Sequence, residues 1–311
     1  MDSISSSGTS SCCYISLIFF IIFKGAAGVT FTVINKCDHT VWPGTLGNSQ
    51  LDSTGFELPP GGSRSFQAPP NWSGRFWGRT GCTSDPTTGQ LTCLTGDCRS
   101  NQLECNGNPA NPPTTLAEFT IGSGTTQDFY DVSLVDGYNL PMIIEPSGGS
   151  GPCLLTGCAT DLNRKCPDEL RVGSRDACKS ACNAFGNPEY CCSGAYASPA
   201  TCKPSRYSEI FKSACPKSYS YAFDDPTSTF TCTGADYMIT FCPSSTSLKS
   251  ASSTSPDTTT TGGSETDSGG FASWLPDFLT GESSKTLSGC VFYTTLLTTL
   301  ISHILLTVFY S

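Results

Sequence analysis

Between Cys37 and Cys242 the chain places sixteen of its nineteen cysteines. An even number of cysteines in a chain with a secretory leader predicts a disulfide framework, here of eight bonds. The leader is the short apolar stretch "YISLIFFIIF" (14–23), followed by the small residues Gly25, Ala26, Ala27 and Gly28. Such a run is too short to span a bilayer and fits a cleaved signal peptide over 1–28, so the mature chain starts at Val29. Cys12 and Cys13 fall in that leader and Cys290 falls in the tail. Spacing alone leaves the connectivity open. Cys191 and Cys192 are neighbours, so each pairs outward, while Cys82 with Cys93 and Cys98 with Cys105 could close short local loops. With every thiol paired, neither a thiolate nucleophile nor a Cys/His metal site remains.

The last residues read differently. "CVFYTTLLTTLISHILLTVFYS" (290–311) is apolar and carries no Lys or Arg flank. An apolar tail behind small residues reads as a glycosylphosphatidylinositol (GPI) signal that is removed on anchoring, with a retained span as the alternative. Gly281 suits the spacer length as the attachment residue, and Ser268 suits the small-residue rule. Before it, residues 243–289 are rich in Ser and Thr and poor in aliphatics. That composition cannot bury enough surface to fold and predicts a disordered stalk. The folded unit is therefore 29–242.

Within it the text is mainly β. "VTFTVIN", "FELPPGGSRSFQAP" and "GRFWGRT" alternate between Gly/Pro turns over 29–79, and strand text returns in 113–152 and 216–242. This pattern predicts a sandwich. Two cysteine-rich excursions interrupt it, 80–112 and 153–215. The second predicts two helices, one over 176–185 with Cys178 and Cys182 on one face and Gly186 as stop. The other runs over 206–214 with Ser205 as N-cap. Asn71 in "NWS" is an N-glycosylation acceptor. The formal net charge of −9 argues against nucleic acid and anionic membrane as partners.

Little catalytic chemistry is available. With only His39 and His303, and no G-x-S-x-G, a Ser-His-Asp triad has no support. The pieces "GSGTT" and "SGGSGP" lack the lysine of a phosphate loop and read as turns. No metal or cofactor is implied. Carboxylates remain: Glu118, Asp128, Asp131, Asp136, Asp224 and Asp225, with Arg75 and Arg79 nearby in "RFWGRT". Each has a bland reading as turn former or solvated group, yet "DFYDVSLVDGYN" (128–139) sets three acids into apolar strand text, where a carboxylate needs a partner. Together these groups could line a polar groove on one face of a sheet.

At this point the chain resembles the thaumatin-like proteins, the plant pathogenesis-related defence family. The resemblance rests on "GQLTCLTGDC" followed by "LEC", on "VTFTVINKC", "TVWPG", "FWGRTGC", "PPTTLAEFT", "VSLVDGYNLPM", "YCC" and "DDPTSTFTC", and on the sixteen cysteines. It implies a mainly β fold, a flattened antiparallel β-sandwich with two small disulfide-rich domains. It also implies the pairs Cys37–Cys242, Cys82–Cys93, Cys98–Cys105, Cys153–Cys232, Cys158–Cys215, Cys166–Cys178, Cys182–Cys191 and Cys192–Cys202.

The family's acidic cleft maps onto Arg75, Glu118, Asp131, Asp136 and Asp224, with Asp225 the alternative to the last; Asp128 lies outside the motif and is expected to be solvated. The implied function is a monomeric, secreted or surface-anchored antifungal protein that binds β-1,3-glucan. Phe76, Trp77 and Tyr138 are candidate rings for stacking on sugar, with Trp42 and Trp77 reading equally as core. The alternatives are a weak endo-β-1,3-glucanase, with Glu118 as acid and Asp131 as its partner, and an inhibitor or ligand-presenting module. "CRSNQLEC" departs from a glycine-richer family loop, and the stalk and tail are additions to the ordinary secreted form.

Overall fold

The computed structural model describes residues 28–174 and 176–244. The stalk, the tail, Gly281, Ser268 and all of the leader before Gly28 lie outside the described residues. Thirteen strands are present: β1 (Val29–Asn35), β2 (Trp42–Gly47), β3 (Ser63–Ala68), β4 (Ser73–Arg79), β5 (Thr83–Ser84), β6 (Leu91–Thr92), β7 (Leu116–Thr120), β8 (Asp128–Ser133), β9 (Met142–Ser150), β10 (Thr156–Cys158), β11 (Arg171–Val172), β12 (Ala177–Cys178) and β13 (Phe230–Phe241).

Nine of them share one hydrogen-bonded network that folds into two layers. One layer runs β3-β1-β13-β9-β10 and the other β2-β4-β7-β8. The long β13 joins both. Its first residues pair with β8, with Phe230 opposite Tyr130. From Thr233 onward it pairs with β9, and from Tyr237 also with β1. The switch falls at Gly234, whose φ of 66° suits a residue without Cβ. The β1–β13 ladder is parallel, the exception in an otherwise antiparallel sandwich.

Period-2 alternation decides what lies between the layers. Phe31 and Val33 of β1, and Tyr237, Ile239 and Phe241 of β13, are fully buried. They meet Phe76 and Phe119 from the opposite layer: the Phe31 ring centre is 4.6 Å from Phe119 and 5.1 Å from Phe76. Edge and tilted contacts of this kind add about 0.5–1.5 kcal/mol per pair beyond burial.

Eight disulfides tie this core to its excursions. Cys37–Cys242 joins the ends of the parallel pair β1 and β13. Cys153–Cys232 and Cys158–Cys215 fasten the helical excursion at both ends, and Cys166–Cys178, Cys182–Cys191 and Cys192–Cys202 close it internally. Cys82–Cys93 and Cys98–Cys105 close the other excursion.

One helix differs from its expectation over 176–185. It begins at Ala181, and Ala177–Cys178 is strand β12, paired with β11. The Cys178 N–H donates to the Tyr138 carbonyl at 2.7 Å, which holds it extended, and Ser180 caps the helix by accepting from Asn183 N–H. Cys178 and Cys182 therefore share no helical face. Gly186 ends the helix in the left-handed conformation. The helix Arg206–Ala214 has its expected bounds, and Ser205 and Ser208 form a capping box.

The 80–112 excursion is locked to the sheet by a buried arginine. Arg79 is 1% exposed, and its guanidinium donates to the carbonyls of Trp42 at 2.9 Å and Leu103 at 2.7 Å. Burial lowers its pKa to about 10, while Asp97 and Glu104 work the other way. Burial also opposes the Glu104 carboxylate, yet hydrogen bonds from Thr54, Ser53 and Gly55 hold its pKa below the usual range. Arg79→Ala should cost about 3–5 kcal/mol in urea unfolding with disulfides intact, because it strands these carbonyls and the two acids. Arg79→Lys should cost less, keeping the charge but not the fork. A loss below about 1 kcal/mol in the alanine variant would refute the locking role.

Candidate ligand-binding cleft

Register, rather than sequence proximity, brings the cleft together. Arg75 on β4 stands directly opposite Glu118 on β7, and Glu118 directly opposite Asp131 on β8. All three point away from the aromatic core, because their neighbours Phe76, Ala117, Phe119, Tyr130 and Val132 take the inner face. Directly opposed residues stand about 4.5–5.5 Å apart at Cβ, so the three side chains form one row. Past β8 the row continues onto the segment around Tyr219, which bridges Ser133. There Tyr219 donates its hydroxyl to Asp225 at 2.9 Å.

Arg75 is the counter-charge of the row. Its Nη1 lies 3.7 Å from Glu118 Oε1, at the outer limit of an ion pair. The Glu118 side chain keeps 36% of its surface accessible. Burial raises the Glu118 pKa; Arg75 pulls it down and Asp136 pushes it up. Asp131 is more extreme. It is 8% exposed, and its Oδ1 is buried without a hydrogen-bond partner. Burial raises its pKa well above the ordinary carboxylate value, and the charges of Glu118 and Asp225 raise it further. Asp136, in the turn that Gly137 closes onto Leu134, is raised by burial and lowered by Arg75. Like charges this close disfavour ionising both acids together.

Asp224 has a different environment. Its Oδ2 takes Lys212 Nζ at 2.9 Å and both the N–H and the hydroxyl of Ser220, so its charge is already neutralised. Of the neighbouring pair, Asp225 is the acid whose charge reaches Asp131. Two other expectations change. Asp128 is not solvated: it is 2% exposed on the inner face, accepting from Tyr237 at 2.8 Å and from Gly122 N–H at 2.8 Å. Phe76, Trp77 and Tyr138 are each fully buried and have no face to offer a sugar. Phe76 is core, Trp77 packs under the 80–112 excursion, and Tyr138 donates to the Thr160 carbonyl. Tyr190, in the "YCC" stretch, and Tyr221, in the 216–242 strand text, are partly exposed. Asn71 is exposed on the turn before β4. Among the described residues no group of acids, histidines and cysteines has the geometry to hold a metal ion.

Residues 35–243 match the Thaumatin family model. The chain belongs to the thaumatin family. "Thaumatin-like protein 1" of Arabidopsis thaliana is 69% identical over 245 residues, covering 74% of this chain and 94% of the relative. "Pathogenesis-related thaumatin-like protein 3.5" of Cryptomeria japonica is 56% identical, covering 74% and 97%. A relative from Prunus avium named "Glucan endo-1,3-beta-glucosidase" is 52% identical, covering 71% and 93%.

The raised acids of this thaumatin-family cleft set a pH signature. A carboxyl whose folded pKa exceeds its unfolded value of about 4 holds its proton more tightly when folded. Its contribution to stability is full below that unfolded value and declines as pH rises toward the folded one. Asp131→Asn removes the largest such penalty. The variant should melt at a higher temperature than the parent at pH 7 and near the parent's at pH 4. A lower melting temperature at pH 7 would show that the Asp131 anion is stabilised, not penalised.

Proposed function

We propose that this thaumatin-family chain is a defence protein that binds β-1,3-glucan through the cleft of Arg75, Glu118, Asp131 and Asp136, with Asp224 and Asp225 at its border. The opposed row of Arg75, Glu118 and Asp131 on one outward face of the sheet carries the reading. A carboxyl oxygen is an acceptor for sugar hydroxyls. Arg75 complements it by donating to sugar oxygens. Neighbouring acids that are part protonated offer donors and acceptors side by side, as vicinal hydroxyls do.

Hydrolysis is the second reading, favoured by the raised pKa of Glu118 and by the name of the Prunus avium relative. Against it, Glu118 and Asp131 rise from adjacent strands on one face. Both therefore reach a ligand from the same side, whereas a glycosidase acid and its partner flank the scissile bond. Binding without turnover is the expectation. Titration of the purified protein with β-1,3-glucan oligomers should give saturable binding, and Asp131→Ala, which removes both carboxyl oxygens, should weaken it about tenfold or more. Unchanged affinity in that variant defeats the cleft reading, and reducing-end release from laminarin above the blank establishes the enzyme. The same proposal places the protein on the outer face of the plasma membrane. Phosphatidylinositol-specific phospholipase C should release it, and detection of 290–311 in the mature chain would favour a retained span.

A further inference from the structure

Lys212 is a half-buried cation on the helix Arg206–Ala214. Its Nζ donates to Asp224 Oδ2 at 2.9 Å, to the Ser218 carbonyl at 3.1 Å and to the Ser228 hydroxyl at 2.9 Å. An ammonium has three protons, so these acceptors use all of its donating capacity. All three belong to one stretch, 218–228, which leads from the helix toward β13. The helix that presents the cation is fixed at both ends. Ser205 and Ser208 cap its start, and Cys215, just past its end, is bonded to Cys158 of β10. Tyr207 and Phe211 bury its inner face.

The stretch that Lys212 grips carries both acids at the cleft border. It begins in register with β8. The Tyr219 N–H donates to the Val132 carbonyl at 3.0 Å, and the Leu134 N–H donates to the Tyr219 carbonyl at 2.9 Å. That pairing ties it beside Asp131. Asp224 and Asp225 then differ in their partners. Asp224 Oδ2 receives Lys212 and both donors of Ser220, and its side chain is 12% exposed. Asp225 receives the Tyr219 hydroxyl at 2.9 Å, a neutral donor, and has no ion pair among the described residues. Tyr219 also bonds the Thr229 hydroxyl, which closes the stretch on itself. One acid is thus matched by a full positive charge and its neighbour is not. The field at Asp131 agrees: burial raises its pKa first, and the charges of Glu118 and Asp225 raise it further.

We propose that Lys212 is a positioning residue of the cleft, which neutralises Asp224 and leaves Asp225 as the acid of the pair that acts on Asp131. The proposal concerns the charge of the cleft and stands whether or not the ligand is a glucan. The other charged and titratable groups around Asp131 are Glu118 on β7 and the phenol of Tyr219. Arg75 on β4 and Asp136 after β8 act in turn on Glu118. A residue that merely braced the 218–228 stretch would need hydrogen bonds but no charge. The two roles separate when the charges of Lys212 and Asp224 are removed singly and then together.

The test is a carboxyl-carbon NMR titration of Asp131 in the intact purified protein, with no ligand present. Parent, Lys212→Met, Lys212→Arg, Asp224→Asn, Asp225→Asn and the double variant Lys212→Met with Asp224→Asn are compared. A nearby anion raises a carboxyl pKa and a nearby cation lowers it. Lys212→Met leaves the Asp224 anion unmatched, so the Asp131 midpoint should move to higher pH. Asp224→Asn leaves the ammonium unmatched and should move it to lower pH. The double variant removes both charges and should return the midpoint to the parent's, and Lys212→Arg should keep it there. Asp225→Asn removes the acting charge and should lower it. Midpoints that stay at the parent's value in Lys212→Met and Asp224→Asn overturn the proposal. So does a double variant displaced as far as Lys212→Met, since lost bracing and not lost charge would then be the cause. An unmoved midpoint in Asp225→Asn overturns the assignment of the acting acid. The two Asn variants are close in shape to the parent and decide the matter if Lys212→Met does not fold. Because no ligand enters, failure here leaves the glucan reading to its own titration.

Discussion

Strand β13 belongs to both layers of the sandwich, and the positions of the other elements depend on that sharing. Its start extends the β8 ladder and its remainder lies between β1 and β9, with the change of partner at Gly234. A side chain at Gly234 would have to adopt a left-handed φ, which most residues resist. Two disulfides fasten the same strand, one near its start through Cys232 and one just past its end through Cys242. The N-terminal strand is thereby held parallel to the C-terminal one, a pairing of high sequence separation that loses much chain entropy on closing. Closing it brings Phe31 and Tyr237 against Phe119, so the aromatic core and the layer crossing are one structural event.

The cleft follows from that core by alternation. Once Phe119 and Tyr130 face inward, Glu118 and Asp131 must face outward and stand opposite each other. Protein on both flanks then desolvates them, and Arg75 offsets only part of the penalty. The result is a row of acids whose pKa values burial raises.

Much of this was legible in the residues. Sixteen cysteines announced a stapled extracellular fold, and strand alternation announced a sandwich. The acids set into strand text drew attention to Glu118, Asp131 and Asp136, because carboxylates in such positions need a reason. The helix Arg206–Ala214 was legible too, since its cap and stop are local signals. Where a long-range contact overrides a local one, the residues misled. The 176–185 stretch has helical spacing, but Tyr138 draws Cys178 into a bridge and delays the helix to Ala181. Asp128 looks like a solvated acid until Tyr237, 109 residues away, donates to it.

The sequence by itself therefore determined the number of disulfides to expect, the fold class and the residue types available for chemistry, because composition and period are local properties of the chain. Only the tertiary structure decided which acids stand opposed in one row and which is neutralised, because that depends on register and burial. Asp131 lies opposite Glu118, whereas Asp224 is claimed by Lys212. The fold likewise decided that Phe76, Trp77 and Tyr138 pack inside and that Tyr190 and Tyr221 stay partly exposed, since an aromatic residue reads the same in sequence whether its neighbours are core or solvent.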